Sequence, residues 1–550
     1  MGRWFKSGSP WIWLTGSAVS ISLIAVLGLL LLIAWRGLSY FWPATIYQWE
    51  LQDDNGQPYR LIGEIHDREQ VPTDRLKAAG HHFPADTGEF VERFLVKTGN
   101  RELVSLDFRW ILASDILTRS EPKELAVFER SKNGNFYGEP VAVLQAGTKL
   151  ETASVEQLLQ QRIDHAVALN AQADALQKHD IGAINYQLER LRLQARKYQL
   201  NDDYTEAHQT EIAAEQQQYQ QQYQQLEQQL FAMREQAGRD AVVVKDMRGE
   251  LVTLSLDTVL NVTYSNRLST WQKLLTWGQR VGHFVSDEPR EANTEGGVFP
   301  AIFGTVFMVL LMAVIVTPFG VIAAVYLHEY AKNGWLTRII RIAVINLAGV
   351  PSIVYGVFGL GFFVYMIGGS IDQLFFPEAL PSPTFGSPGM LWSALTLAIL
   401  TLPVVIVSTE EGLSRIPSSI RQGSLALGAT QAETLFRIVL PMASPAIMTG
   451  LILAVARAAG EVAPLMLVGV VKLAPNLPLD MNFPYVHLER KFMHLGFHIY
   501  DVGFQSPNVE AARPLVYATS FLLVTVIVTL NLTAISVRNY LREKYRSLEN

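Results

Sequence analysis

The chain has 550 residues, 49% of them hydrophobic and 17% charged, with a mean hydropathy of +0.16. That balance is too apolar for a soluble protein and too polar for one wholly embedded in a bilayer, so membrane helices plus a sizeable aqueous part are expected. The net charge of −6 argues against a broad nucleic-acid-binding surface, and the absence of cysteine excludes disulfides, thiolate metal sites and cysteine nucleophiles.

Arg3 and Lys6 precede an apolar run at 14–35, and about 20 such residues suffice to cross a bilayer. Trp35, Arg36 and the aromatics Tyr40, Phe41 and Trp42 follow, as an interfacial belt does, in place of a small-residue cleavage site. Residues 1–36 are therefore predicted to be a cytoplasmic tail and an uncleaved first span.

Residues 37–295 hold no spanning segment and are predicted to form an inserted periplasmic α+β domain. Short alternating runs at 90–96 and 103–108, with a turn signal at Asn133-Gly134, favour antiparallel strands in a β-rich part over 45–150 and 240–265. Between them, 151–238 turns to Gln, Ala, Leu and Glu. Ile181, Ile184, Leu188, Leu191, Ala195 and Tyr198 recur at three- and four-residue spacing, as do Tyr219, Tyr223, Leu226, Leu230 and Met233. That spacing predicts an antiparallel coiled-coil hairpin, which reads either as a spacer or as a docking arm for a binding protein.

A transmembrane domain is predicted over 296–537, with apolar runs at 298–327, 339–367, 390–409, 445–471 and 514–537, bringing the spans to six. Lys332, Arg338 and Arg341, then Arg415, Arg421 and Arg437, then Arg538, Arg542, Lys544 and Arg546 crowd alternate connections, whereas 369–389 carries no basic residue. The bias places both termini, including the tail 538–550, and the loop 410–443 inside, and the domain 37–295 outside.

Within that loop, 422–441 reads QGSLALGATQAETLFRIVLP. Spacing puts Leu425, Leu435 and Val439 on one side, Gly428 lets two short helices meet at a bend, and Pro441 is expected to stop or kink the second. A helix–bend–helix of this kind suits docking into a partner's groove; an ordinary polar connection is the alternative.

Arg457 and Glu461, four apart in the fifth span, are placed to pair on one helix face. A charge at a span's centre costs about 2.5–3.5 kcal/mol and usually has a role. Arg457 is expected to line a path for an oxyanion, which its planar fork of donors suits, with Glu461 orienting or gating it. A self-neutralising structural pair is the alternative. Glu329, Glu410 and Glu411 sit at the inner interface, with Arg338 or Arg415 as expected partners. No phosphate-binding Gly-x-x-x-x-Gly-Lys-Ser/Thr loop, His-Glu-x-x-His or Gly-x-Ser-x-Gly occurs, so no catalytic or metal site is expected and ATP-driven transport requires another chain.

Segment 422–441 resembles the coupling loop of ATP-binding-cassette importer permeases: Glu-Ala-Ala, three residues, Gly, nine residues, Ile-x-Leu-Pro. Gly428, Ile438, Leu440 and Pro441 match; Gln422, Gly423 and Ser424 replace the opening triad. The segments TEGGVFPAIFGTVFMVLLM, VTPFGVIAAVYLHEYA, RIAVINLAGVPSIVYGVFGLGFF, LTLPVVIVSTEEGLSRIPSSIRQGSLALGAT and ARAAGEVAPLMLVG are similar to PstA-type permeases of the bacterial phosphate-specific importer. The resemblance implies a mainly α membrane protein of the type I ABC importer permease fold in the inner membrane. It implies a PstC-type sister permease, a PstB-type ATPase dimer and a periplasmic phosphate-binding protein as partners. The family's pathway pair falls on Arg457 and Glu461, and its coupling contacts on Gln422, Gly428, Ala429, Thr430, Glu433, Ile438, Leu440 and Pro441. No cofactor is expected on this chain, ATP and magnesium belonging to the ATPase. The insertion 37–295 departs from the family's short form. It leaves open a second reading, a membrane-anchored scaffold or signalling subunit sensing phosphate status through the coiled coil.

Overall fold

Among residues 8–52, 57–78, 80, 88–104, 106–150, 154–332, 334–506 and 509–545, which the computed structural model describes, six helices are long and apolar enough to cross a membrane. They are Trp11–Ser39, Phe299–Tyr330, Ser352–Phe375, Met390–Ser414, Gln431–Gly460 and Ala512–Glu543. The chain divides into two units. One comprises Met1–Tyr40, Val285–Glu288 and Val298–Asn550, and the other Phe41–Phe284 and Pro289–Gly297.

In the first unit the fourth span is central: 67% of its most apolar stretch is buried, against none in the first and sixth spans. Ala394, Leu397, Ala398 and Val405 on this helix pack against Met308, Met312 and Val316 of the second span and Ala454, Val455 and Ala458 of the fifth. The sixth span packs against the fifth and the first.

Two apolar runs break where hydropathy alone suggested continuity. The run 339–367 divides at Pro351 into a short helix, Trp335–Leu347, and the third span. Arg338 and Arg341 give the short helix a polar side, and the residue before a proline is pushed away from helical geometry. The run 445–471 ends as a helix at Gly460, followed by extended backbone at Glu461 (φ −80°, ψ 134°) and a four-residue helix, Leu465–Val468.

Among the described residues the second unit contains thirteen strands. Eleven build two antiparallel sheets: β1 (Ile46–Gln52), β2 (Pro58–Pro72), β3 (Phe90–Lys97), β4 (Phe108–Leu112), β5 (Ile116–Ser120), β6 (Ala126–Arg130), β7 (Phe136–Gln145), β8 (Thr148–Lys149), β9 (Asp240–Lys245), β10 (Leu251–Ser255) and β11 (Val259–Thr263), and Pro289–Arg290 pairs with Glu295–Gly296 as a short ribbon. The first sheet runs β4-β3-β2-β1-β5, the second β10-β9-β7-β6-β11, with β8 on β7. Strand alternation stacks the layers. Val127 and Tyr137 point into a core with Trp49, Leu61 and Val96 of the first sheet. Their neighbours Phe128 and Phe136 point the other way, onto Leu159, Ile163 and Ala166 of the helix Val155–Ala175. Asn133 and Gly134, both at positive φ (66° and 67°), turn the chain between β6 and β7. The expected strand at 103–108 does not form. Arg101–Val104 is a helical turn, Leu103 and Val104 donating to the Asn100 carbonyl, and the strand begins at Phe108.

Between β8 and β9 the chain leaves as Val155–Ala175, a wide π turn at Leu176–Ile181 and Gly182–Leu200, and returns as Glu206–Gly238. On the return helix Ile212, Tyr219, Tyr223, Leu226, Leu230, Met233 and Ala237 are less exposed than their neighbours. Ile181, Ala173 and Leu230 form the tightest contact, and Tyr198 stacks on His208 near the tip with ring centroids 4.2 Å apart. A helix over Thr270–Ser286 follows the sheets and was not anticipated from sequence.

Candidate functional site: the loop between the fourth and fifth spans and Arg457

The loop between the fourth and fifth spans is built by two helix-end devices. Helix Ser418–Ala426 ends in a left-handed Gly428 (φ +89°). Gly428 N–H donates to the Leu425 carbonyl at 3.0 Å and Ala429 N–H to the Ser424 carbonyl at 3.3 Å, the two bonds of a Schellman stop, which favours glycine because its middle residue needs positive φ. Thr430 then caps the next helix. Glu433 N–H donates to Thr430 Oγ1 at 3.2 Å, and Thr430 N–H to Glu433 Oε2 at 3.0 Å, a reciprocal capping box. Across the bend, the buried hydroxyls of Ser424 and Thr434 lie 2.8 Å apart and tie the two helices together. Ser424, one of the residues standing in place of Glu-Ala-Ala, thus has an internal job.

Leu435 and Val439 pack on Val325, Leu413, Ile416 and Ala443. Leu425, expected beside them, is exposed, as are Leu427 (91%) and Phe436 (68%); Gln422 also faces outward, and Ile438 is half-buried. Pro441 does not stop the helix. A π turn over Leu435–Val439 precedes it and Gln431–Gly460 continues as one span. A widened turn accommodates a residue that has neither an N–H nor room for the preceding carbonyl.

Two arginines tie neighbouring segments to the span ends, Arg421 from this loop and Arg341 from the short helix Trp335–Leu347, and neither is among the partners expected from sequence. Arg421 donates to the Leu413 carbonyl at 2.8 Å and pairs with Glu329 at 3.0 Å. Arg341 donates to the Leu327 carbonyl at 3.0 Å and pairs with Glu410 at 3.3 Å. Each guanidinium thereby covers a carbonyl in the last turn of a span, where the helix dipole favours positive charge. The acidic positions were legible. Their partners were not, because Arg338 and Arg415 are just as close in sequence.

At the other end of the fifth span, Arg457 lies in the last helical turn. Its Nε is 3.6 Å from Glu461 Oε1, an ion pair without a hydrogen bond, and both side chains are partly accessible (32% and 20%). Glu461 lies beyond the helix, so the pair forms across the helix end rather than along a helical face. Arg457 has no hydrogen-bond partner among the described residues, leaving its fork of donors available. The third span closes on this break. A Cβ at Gly356 would lie 2.7 Å from Pro464 Cα, so only glycine permits the approach. Tyr355 donates its hydroxyl proton to the Leu347 carbonyl at 2.6 Å and lies within electrostatic reach of Arg457. Irregular backbone is tolerated at membrane depth only where protein buries it or it lines a cavity. Gly356 was missed from sequence because only tertiary packing brings it to Pro464. Together the two sites place the exposed Leu427 before one end of a long helix and a partly accessible guanidinium in the last turn at the other.

Residues 316–547 match the family described as binding-protein-dependent transport system inner membrane component. The phosphate transport system permease protein PstA 1 of Mycobacterium tuberculosis is 35% identical over 245 residues, 44% of this chain and 71% of that protein. The probable ABC transporter permease protein YqgH of Bacillus subtilis is 33% identical over 193 residues, 35% of this chain and 59% of that protein. The probable phosphate transport system permease protein PstA of Methanocaldococcus jannaschii is 32% identical over 189 residues, 34% of this chain and 60% of that protein.

Proposed function

The chain belongs to the family of binding-protein-dependent transport system inner membrane components, and from that premise we propose that it is the PstA-type permease subunit of an ATP-driven importer of inorganic phosphate. The observation that carries the mechanism is a single one. The helix capped at Thr430 in the coupling loop runs without interruption over 30 residues, Gln431–Gly460, and bears Arg457 in its last turn. At 1.5 Å per residue, about 40 Å of helix connects the two sites.

In this reading the exposed Leu427, flanked by Gln422, Leu425 and Phe436, seats the loop in a groove of a PstB-type ATPase. ATP and magnesium are bound by that ATPase dimer. When the groove moves, the tied pair of helices moves as one body, because Ser424–Thr434 and the capping box hold the bend. Arg421 carries the displacement to the second span through Glu329 and to the fourth through the Leu413 carbonyl, and Arg341–Glu410 ties the short helix Trp335–Leu347 to the fourth span. At the far end, Arg457 offers bidentate donors to a phosphate oxyanion. Glu461, 3.6 Å away, competes for the guanidinium when the anion has left. A PstC-type sister permease supplies the other half of the pathway, and a periplasmic phosphate-binding protein delivers the ligand. The unit 41–284 lies on the periplasmic side of the inner membrane, and the tip of its helical hairpin reaches for the binding protein.

Phosphate uptake into proteoliposomes containing the assembled transporter tests the pathway role. Arg457→Ala is expected to leave assembly intact and abolish most uptake, with Arg457→Lys keeping a fraction of it. Uptake by Arg457→Ala at the native rate would contradict the assignment.

A further inference from the structure

The helix Thr270–Ser286 presents an apolar stripe that the protein leaves uncovered. Trp271 (67% exposed), Leu274, Leu275 (53%) and Val285 lie along one side, with the exposed Gly278 and Gly282 between them. Their spacing of three, one, three, four and three residues keeps all six within about 100° of one another around a helix of 3.6 residues per turn. A second side faces the domain. Arg280 pairs with Glu129 at 2.9 Å, and the buried Phe284 sets its ring 5.0 Å from that of Phe41. A third side, with the exposed Gln272, Gln279 and His283, is polar.

The chain leads from both ends of this contact directly into membrane spans. Phe41 comes two residues after Ser39, the last residue of the first span. Just past the helix, the Asp287 carbonyl accepts a hydrogen bond at 3.2 Å from the N–H of Phe299, the first residue of the second span. The C-terminal end of the helix is thus tied to the point where two membrane helices leave the bilayer. An uncovered apolar stripe flanked by polar residues at that level has the make-up of a helix lying in the interface. Trp271, an indole with one apolar body and one polar N–H, suits that zone.

We propose that Thr270–Ser286 is an interfacial helix whose stripe Trp271–Leu274–Leu275–Gly278–Gly282–Val285 is buried in the lipid headgroup region of the leaflet facing the inserted domain. The occupant is lipid rather than another polypeptide, because the helix runs on through Asp287 to the second span and its Phe284 packs on Phe41, two residues past the first span.

The chain has no cysteine, so single probes can be placed directly. Leu275→Cys and Trp271→Cys on the stripe, and Gln279→Cys on the polar side, are labelled with an environment-sensitive fluorophore. The full-length chain with its co-purifying subunits is held in nanodiscs of phosphatidylethanolamine and phosphatidylglycerol. Both stripe probes are expected to be blue-shifted, to lose most of their emission to a nitroxide near the lipid headgroup, and to resist aqueous iodide; the Gln279 probe is expected to do the reverse. Strong iodide quenching of both stripe probes would overturn the proposal. So would protection from both quenchers together with cross-linking from Leu275→Cys to another subunit, which would assign the stripe to a protein partner. Neither result bears on phosphate uptake, so this inference fails or survives separately from the proposed function.

Discussion

Arg421→Ala removes the tie between the helix Ser418–Ala426 and the second and fourth spans. The side chain makes one hydrogen bond, 2.8 Å to the Leu413 carbonyl, and one ion pair, 3.0 Å to Glu329. A hydrogen bond made by a charged group contributes about 1.5–3 kcal/mol. The two side chains are 22% and 23% exposed, so solvent screens the pair and lowers its share. About 2 kcal/mol is a reasonable sum, equivalent to roughly 30-fold in the equilibrium between a seated and a loose coupling helix. The permease core does not depend on this tie, since its packing centres on Met312, Leu397 and Ala458. The variant is therefore expected to assemble and to hydrolyse ATP at a near-native rate while phosphate moved per ATP falls severalfold or more. A double-mutant cycle with Glu329→Gln separates this tie from unrelated damage: the second substitution is expected to add little to the first. Fully additive losses, or an unchanged ratio of phosphate to ATP in Arg421→Ala, would refute the reasoning.

Two further perturbations follow from the same geometry. Gly428 stands in open space at φ +89°, so Gly428→Ala meets no clash and is penalised by backbone alone, about 1–2 kcal/mol. It is expected to uncouple hydrolysis from uptake, with Gly428→Asn markedly milder because Asn tolerates that region; equal losses in both would contradict the backbone account. Replacing 176–230 with a short glycine-rich turn removes the outer hairpin and keeps Leu159, Ile163 and Ala166 in their core. This variant is expected to fold and insert while co-purifying less of the binding protein, and unchanged co-purification and uptake would remove the docking-arm reading.

The spans were legible because an apolar run of bilayer length is a local property, and the bend at Gly428 because a glycine marks it; the capping box of Thr430 and Glu433 went unread although Thr followed three residues later by Glu is its local signature. Where a span ends was harder to read. Val350-Pro351 and Gly460-Glu461 sit inside runs whose average hydropathy barely falls, so a window passes over breaks that backbone geometry enforces. Leu425 was assigned to the wrong side because a helical wheel carried through Gly428 assumes one axis, and the left-handed residue turns that axis. The ties of Arg421 and Arg341 join residues far apart in sequence, and nothing local selects them over Arg415 or Arg338. The helix Thr270–Ser286 did leave a signal, Trp271, Leu274, Leu275 and Gly278 at helical spacing. It is short and interrupted by Gln, Lys and Thr, and it falls between a strand region and an apolar span that draw attention from it.

The central claim is that a separate ATPase moves the loop around Gly428 and so opens a path past Arg457. Its most direct test is radiolabelled phosphate flux into proteoliposomes holding this chain, its sister permease and the binding protein, with and without the ATPase and ATP. The account predicts flux only when both are present, and none when the ATPase is omitted. Sustained phosphate flux through the two permeases alone would contradict it.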